Sequence, residues 1–159
     1  MNIAIRRFKE EDADIVSEII RRNFLEVNIK DYPKDEMEHR AQMYNNKKVL
    51  ELNSRGHFYV ACIDDNVVGC GSVTSFQNKE DESILLAIFV LPELQGKGIG
   101  TLIIKALEND EYYLRAKRIE LWSSITAYDF YKKLGYSDIN GIKELNEEGC
   151  YRLEKLRKE

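Results

Sequence analysis

The chain has 159 residues, 43% hydrophobic and 33% charged, with a formal net charge of −4 and a pI near 5.4. That length predicts one domain, 1–159, able to bury a full core. The mild acidity argues against nucleic acid and anionic membrane surfaces, which favour basic faces. No apolar run approaches the roughly 20 residues of a membrane span, and Met1-Asn2-Ile3-Ala4-Ile5-Arg6 has no signal-peptide pattern. The expected location is cytoplasmic. Cys62, Cys70 and Cys150 form no C-x-x-C pair, so neither a disulfide framework nor a metal site is expected.

Asn2 to Phe8 alternates and reads as a first strand. From Glu11 to Val27, the residues Ile15, Val16, Ile19, Ile20, Phe24 and Val27 fall at helical spacing behind an acidic first turn. Asp31-Tyr32-Pro33 interrupts the helix, because a residue before proline resists the helical region. A second helical region covers Lys34 to Asn53, broken near Asn45-Asn46 and ended by Gly56. Phe58–Ile63 and Val67–Phe76 read as an antiparallel hairpin around Asp64-Asp65-Asn66. Ser83 to Leu91 is a nearly continuous apolar run, as expected of a central strand, and Pro92 ends it.

A helix is predicted over Thr101–Leu114 and a strand over Arg118–Trp122. A helix over Ile125–Leu134 is stopped by Gly135, and Gly149–Leu156 reads as a last strand. By periodicity the fold class is α/β, with a mixed sheet and a hairpin-rich front half.

Gln95-Gly96-Lys97-Gly98-Ile99-Gly100 connects the central strand to the helix starting at Thr101. A helix N-terminus leaves backbone N–H groups without intrahelical acceptors, and its dipole favours negative charge. Glycines let an anion approach the backbone. A pyrophosphate or similar anion is therefore expected here. A P-loop needs Gly-Lys-Ser/Thr, whereas Lys97 is followed by Gly98. A Rossmann turn suits Glu120, about 20 positions on, but requires a small residue at Thr101 or Ile103.

Gln95, Gly98 and Gly100 instead match the Q/R-x-x-G-x-G/A turn of the GCN5-related N-acetyltransferases. About 30 residues later, Ala127-Tyr128-Asp129-Phe130-Tyr131-Lys132-Lys133-Leu134-Gly135-Tyr136 resembles that family's A-x-x-F-Y-x-K-x-G-F/Y signature. The resemblance covers Phe58 to Tyr136 well and the first 57 residues loosely.

The resemblance implies a mixed, largely antiparallel sheet of six or seven strands, flanked by helices on both faces. Its parallel strands, Ser83–Leu91 and Arg118–Trp122, would splay apart around an acyl thioester. Acetyl-CoA is then the acyl donor and coenzyme A the product. The amides of Gly96, Lys97, Gly98, Ile99, Gly100 and Thr101 would cradle the pyrophosphate, and Gln95 would stabilise the turn or touch it. The edge at Ile88, Phe89 and Val90 would pair with pantetheine and polarise the thioester carbonyl. Ser124 would bind the cofactor or cap the following helix.

Tyr131 would be the general acid for the departing thiolate, since a phenol is protonated at neutral pH. The stretch Ile84-Leu85-Leu86-Ala87 holds no acid where family members often place a base. The candidates are Glu82, through a water chain, and Glu120, or no dedicated base at all. Phe24, Asn28, Tyr32, Tyr44, Trp122 and Tyr128 are candidate liners of the acceptor pocket.

The expected activity is acetyl transfer to a primary amine of a small molecule or peptide by direct attack. The alternatives are a non-catalytic acyl-CoA-binding module and a nucleotide-binding α/β domain with a degenerate glycine turn. The family is often dimeric, which leaves a homodimer open.

Overall fold

The computed structural model describes residues 1–157. The apolar runs assemble one seven-stranded sheet from β1 (Ile3–Arg7), β2 (His57–Ile63), β3 (Asn66–Ser75), β4 (Glu82–Val90), β5 (Arg118–Ser123), β6 (Ser137–Asp138) and β7 (Tyr151–Leu156). The spatial order is β1-β2-β3-β4-β5-β7-β6. Every neighbouring pair is antiparallel except β4 and β5. The β2–β3 turn places Asp64 and Asp65 at φ 49° and 69°, the left-handed pair that matches the twist of a two-residue hairpin.

Helices α1 (Ala13–Glu26), α2 (Lys34–Met43) and α3 (Asn46–Arg55) cover one face. There Val16, Ile20, Met37 and Val49 pack with Phe58, Val60 and Cys70 of the sheet. The break between α2 and α3 falls where the sequence places it, because the Asn45 side chain accepts the Lys48 N–H at 3.0 Å and so caps α3. The opposite face carries α4 (Ile99–Leu107), α5 (Glu111–Arg115) and α6 (Tyr128–Lys133). Ile103, Ile104 and Leu107 of α4 are fully buried there with Leu85, Ile119 and Leu121. Burying each such side chain contributes about 1.5–3 kcal/mol.

Two predicted helices differ from the structure. Thr101–Leu114 is split into α4 and α5, because Asp110 breaks the helix and caps the next one by accepting the Tyr112 N–H at 2.9 Å. The helix read from Ile125 begins at Tyr128, after a turn in which Ser124 Oγ accepts the Ala127 N–H at 3.2 Å. Gly135, at φ 95°, ends α6 as expected.

Two features aim the fold at its site. A Cβ on Gly71 of β3 would stand 2.7 Å from Ile103 Cγ2, so glycine lets α4 sit close on the sheet. In β4 an extra residue between Leu86 and Phe89 opposes β3, and Ala87 takes φ 53°. Such a bulge bends its strand. Pairing of β4 with β5 stops at Leu85 and Leu121, while β5 continues alongside β7. From Leu86 onward the β5-facing edge of β4 pairs with no strand.

Candidate active site

The opening between β4 and β5 widens into a cavity of about 880 Å³. At one end it is lined by Gln95, Gly96, Gly98, Gly100 and Thr101. Gly96 and Gly98 hold φ 79° and 86°, and no atom lies within 4 Å of where their Cβ atoms would stand. No side chain caps α4 and its first turn has no acid. Among the described residues, the amides of 96–101 donate to no protein acceptor. This cradle fits an anionic pyrophosphate. Lys97 is exposed beside it and does not line the cavity.

The middle of the cavity is bounded by Ile88, Phe89 and Val90 on β4 and by Ser124, Phe130 and Tyr131 beyond β5. Leu91 N donates to Val68 O at 2.8 Å, with Val90 opposite Gly69. In an antiparallel ladder this pattern turns the N–H and C=O of Val90 away from β3, toward the opening. Tyr131 is only 7% exposed. Burial pushes its hydroxyl well above the usual phenol value, and it has no hydrogen-bond partner among the described residues. Tyr32, Tyr59, Tyr128 and Tyr136 each donate to a protein acceptor.

The far end is lined by Phe24, Asn28, Tyr32, Arg40, Tyr44 and Trp122. Tyr128 is not among the lining residues; its hydroxyl donates to Asp138 at 2.6 Å. A strap formed by residues 146–150 crosses this end. Tyr32 donates to Gly149 O at 2.7 Å and accepts the Ile125 N–H at 2.9 Å. Arg40 donates to Glu148 O at 2.7 Å and to Glu36 at 2.8 Å. Burial raises the Tyr32, Tyr44 and Cys150 pKa values.

Glu82 and Glu120, the two candidate bases, are not brought into the cavity lining. Glu120 is 0% exposed. Its oxygens accept from Arg118 at 2.6 Å, from Trp122 Nε1 at 2.6 Å, and twice from Arg152 at 2.8 Å. Burial pushes this carboxyl up, and those hydrogen bonds outweigh it, holding its pKa below 4.5. Glu82 is likewise lowered, by Lys79 first and then, against some burial, by Arg118. Both carboxylates are engaged by cations where the strands still pair.

We expect Glu120→Gln to cost about 3 kcal/mol, since breaking a buried pair strands its partners. That lowers Tm by roughly 6–12 °C and leaves coenzyme A affinity unchanged. An unchanged Tm with lost affinity would show that the network serves the ligand instead. The native network's contribution is full above about pH 4.5 and is lost as pH falls through the depressed pKa.

Residues 54–138 match the acetyltransferase (GNAT) domain family. An uncharacterized N-acetyltransferase of Methanocaldococcus jannaschii is 32% identical over 153 residues, 91% of this chain and 85% of the relative. The chain belongs to the GCN5-related N-acetyltransferase family. A second uncharacterized N-acetyltransferase of that organism is 35% identical over 100 residues, 60% of this chain, which spans only 40% of that longer relative. PaiA N-acetyltransferase of Thermoplasma acidophilum, solved in complex with coenzyme A, superposes with a TM-score of 0.81 at 20% identity, covering 99% and 100% of the two chains. Ard1 of Thermoplasma volcanium superposes at 0.75 and 18% identity over 100% of both. These likenesses show the GNAT fold.

Against that fold, three features of the cavity were missed from the sequence. The bulge at Ala87 lies in a continuous apolar run, which has no alternation to interrupt. The strap depends on contacts distant along the chain. Asn23 lines the cavity from α1, and its signal was legible: a polar residue on the stripe of Val16, Ile19 and Ile20.

Proposed function

We propose that the protein transfers the acetyl group of acetyl-CoA directly to an amine of a small molecule or peptide within a ternary complex. The observation that carries this reading is one cavity joining the unsatisfied amides of the glycine turn, the β4 edge that no strand covers and the unpartnered Tyr131 hydroxyl. Acetyl-CoA supplies the activated acyl group. In this reading the amides of 96–101 hold the pyrophosphate, and the β4 backbone around Ile88 pairs with the pantetheine arm. The Val90 N–H faces the opening and stabilises charge developing on the thioester oxygen. Tyr131 donates its proton to the departing sulfur.

Two observations favour direct attack over a covalent acetyl-enzyme. Burial pushes the Cys70 thiol up to about 12, and it donates to Ala87 O at 3.2 Å. Burial also raises the Cys150 thiol. Neither thiol suits a nucleophile at neutral pH.

The reading is tested by thermal melts with acetyl-CoA, coenzyme A, NAD and ATP, followed by an amine screen that detects thiol release. A ligand at 100 times its Kd adds about 2.7 kcal/mol. Stabilisation by the coenzyme A forms alone is expected. No stabilisation by either form would overturn the reading.

No carboxylate of β4 or β5 lines the cavity, and the acid that does line it, Glu148, lies exposed on the strap; in this reading the amine reaches the thioester already neutral. We expect kcat/KM to rise with pH and level off at the pKa of the acceptor. The inflection should move from about 8 for an α-amine to about 10.4 for a lysine-type amine. An inflection that stays fixed across acceptors would reveal a base belonging to the protein.

A further inference from the structure

We propose that Asn23 is a positioning residue for acyl transfer, holding the end of β4 and the glycine turn in one register with α1. The inference rests on the transferase reading above. Asn23 is 4% exposed, and its side chain makes three hydrogen bonds, using both amide donors and the amide oxygen. Its Nδ2 donates to Ile19 O at 2.9 Å and to Val90 O at 2.9 Å. Its Oδ1 accepts from Gln95 Nε2 at 2.8 Å, and the same Nε2 donates to Val90 O at 3.2 Å. Backbone carbonyls only accept, so the partners dictate which way both amides face.

The Val90 carbonyl points into the opening, where an adjacent strand would normally satisfy it. Here two side-chain amides take its place, one from the helix on the acceptor side and one from the turn on the cofactor side. The 90–91 peptide is thereby held, and with it the alignment of the β4 edge that no strand covers. Outside this node Arg22 grips Glu93 with two hydrogen bonds, at 3.1 and 2.8 Å. Helix α1 is therefore joined to the strand-to-turn segment by adjacent residues, one contact wet and one dry. The next residue, Phe24, faces the acceptor end. Gln95 bonds inward through this node and also lines the cavity.

The test compares native protein, Asn23→Ala, Gln95→Ala and the double variant. Active sites are counted by calorimetric titration with coenzyme A, and kcat and both KM values are measured per site. We expect Asn23→Ala to lower kcat per site at least tenfold, with both KM values within threefold of native. Gln95→Ala should lose less, and the double variant no more than Asn23→Ala alone, because both amides hold one carbonyl. A purely structural role would lower Tm while leaving kcat per site within twofold of native, and that result overturns the inference. If Asn23→Ala does not fold, the exposed Gln95→Ala variant decides: native kcat per site overturns the proposal, and a threefold or larger loss supports it. If the native protein itself does not bind coenzyme A, the transferase reading fails and this inference fails with it.

Discussion

Tyr131→Phe is expected to lower kcat about 10²-fold, the lower end of what a general acid contributes, while coenzyme A affinity and Tm stay near native. The low end applies because a thiolate leaves more readily than an amide or alkoxide; free cysteine titrates near 8.5. The unchanged Tm follows from geometry. A tyrosine hydroxyl that serves the fold is bonded, as those of Tyr32, Tyr59, Tyr128 and Tyr136 are, and deleting it strands a partner. The Tyr131 hydroxyl has no partner to strand, so its removal should cost less than about 0.5 kcal/mol. Burial also raises its pKa, so it stays protonated throughout the range in which the amine becomes neutral. The checks are steady-state kinetics, a melt and a coenzyme A titration on the same preparation. An unchanged kcat across that range would remove Tyr131 from the chemistry. A fall in Tm equal to the loss of activity would give it a structural role.

The second large effect is on affinity. Gly98→Asn should weaken coenzyme A at least 30-fold, about 2 kcal/mol by 1.36 kcal/mol per decade, with Tm of the free protein lowered by only a few degrees. Gly98 caps α4 at φ 86°, ψ 1°. Asparagine tolerates the left-handed region better than other side chains, so the turn can survive the substitution. What changes is the space beside the cradle, where nothing lies within 4 Å of the Cβ position. A side chain there occupies room that a pyrophosphate needs against the amides. Gly98→Val serves as the contrast: a branched residue at this φ distorts the turn and costs stability as well as affinity. Calorimetric titration separates the two. Native affinity in Gly98→Asn would mean that the pyrophosphate does not lie on this turn.

Much of this fold was legible in the residues because each signal was local. The two aspartates of the β2–β3 turn, the Asn45 cap, the apolar run of β4 and the glycine-rich turn all act within a few positions. What was not legible depended on partners far along the chain. Glu120 reads as a candidate base while the arginines that surround it are unplaced; Arg152 lies 32 residues away. Leu102 and Leu114 both count toward a helical stripe, yet both end up exposed. The Asp110 cap, with its carboxylate also bonded to His57 and Tyr59, outweighs the continuity of that stripe. The Ala87 bulge is the hardest to foresee, since alanine has no special preference for positive φ and only β3 shows that a residue is in excess.

The arrangement of β5 carries a consequence for how the cavity opens and closes. β5 meets β4 at four positions and β7 at six. The strand forming one wall of the opening is therefore held mainly by chain that follows residue 138, outside the segment that matches the family. Backbone amides of β5 cannot exchange with solvent on both edges until β7 detaches. Release of β7 would also free the strap that joins Tyr32 and Arg40 to residues 148–149. Local unfolding of the last hairpin and loss of that cavity wall are then one cooperative event, and the durability of the site is governed from the part of the sequence that carries none of its signature residues.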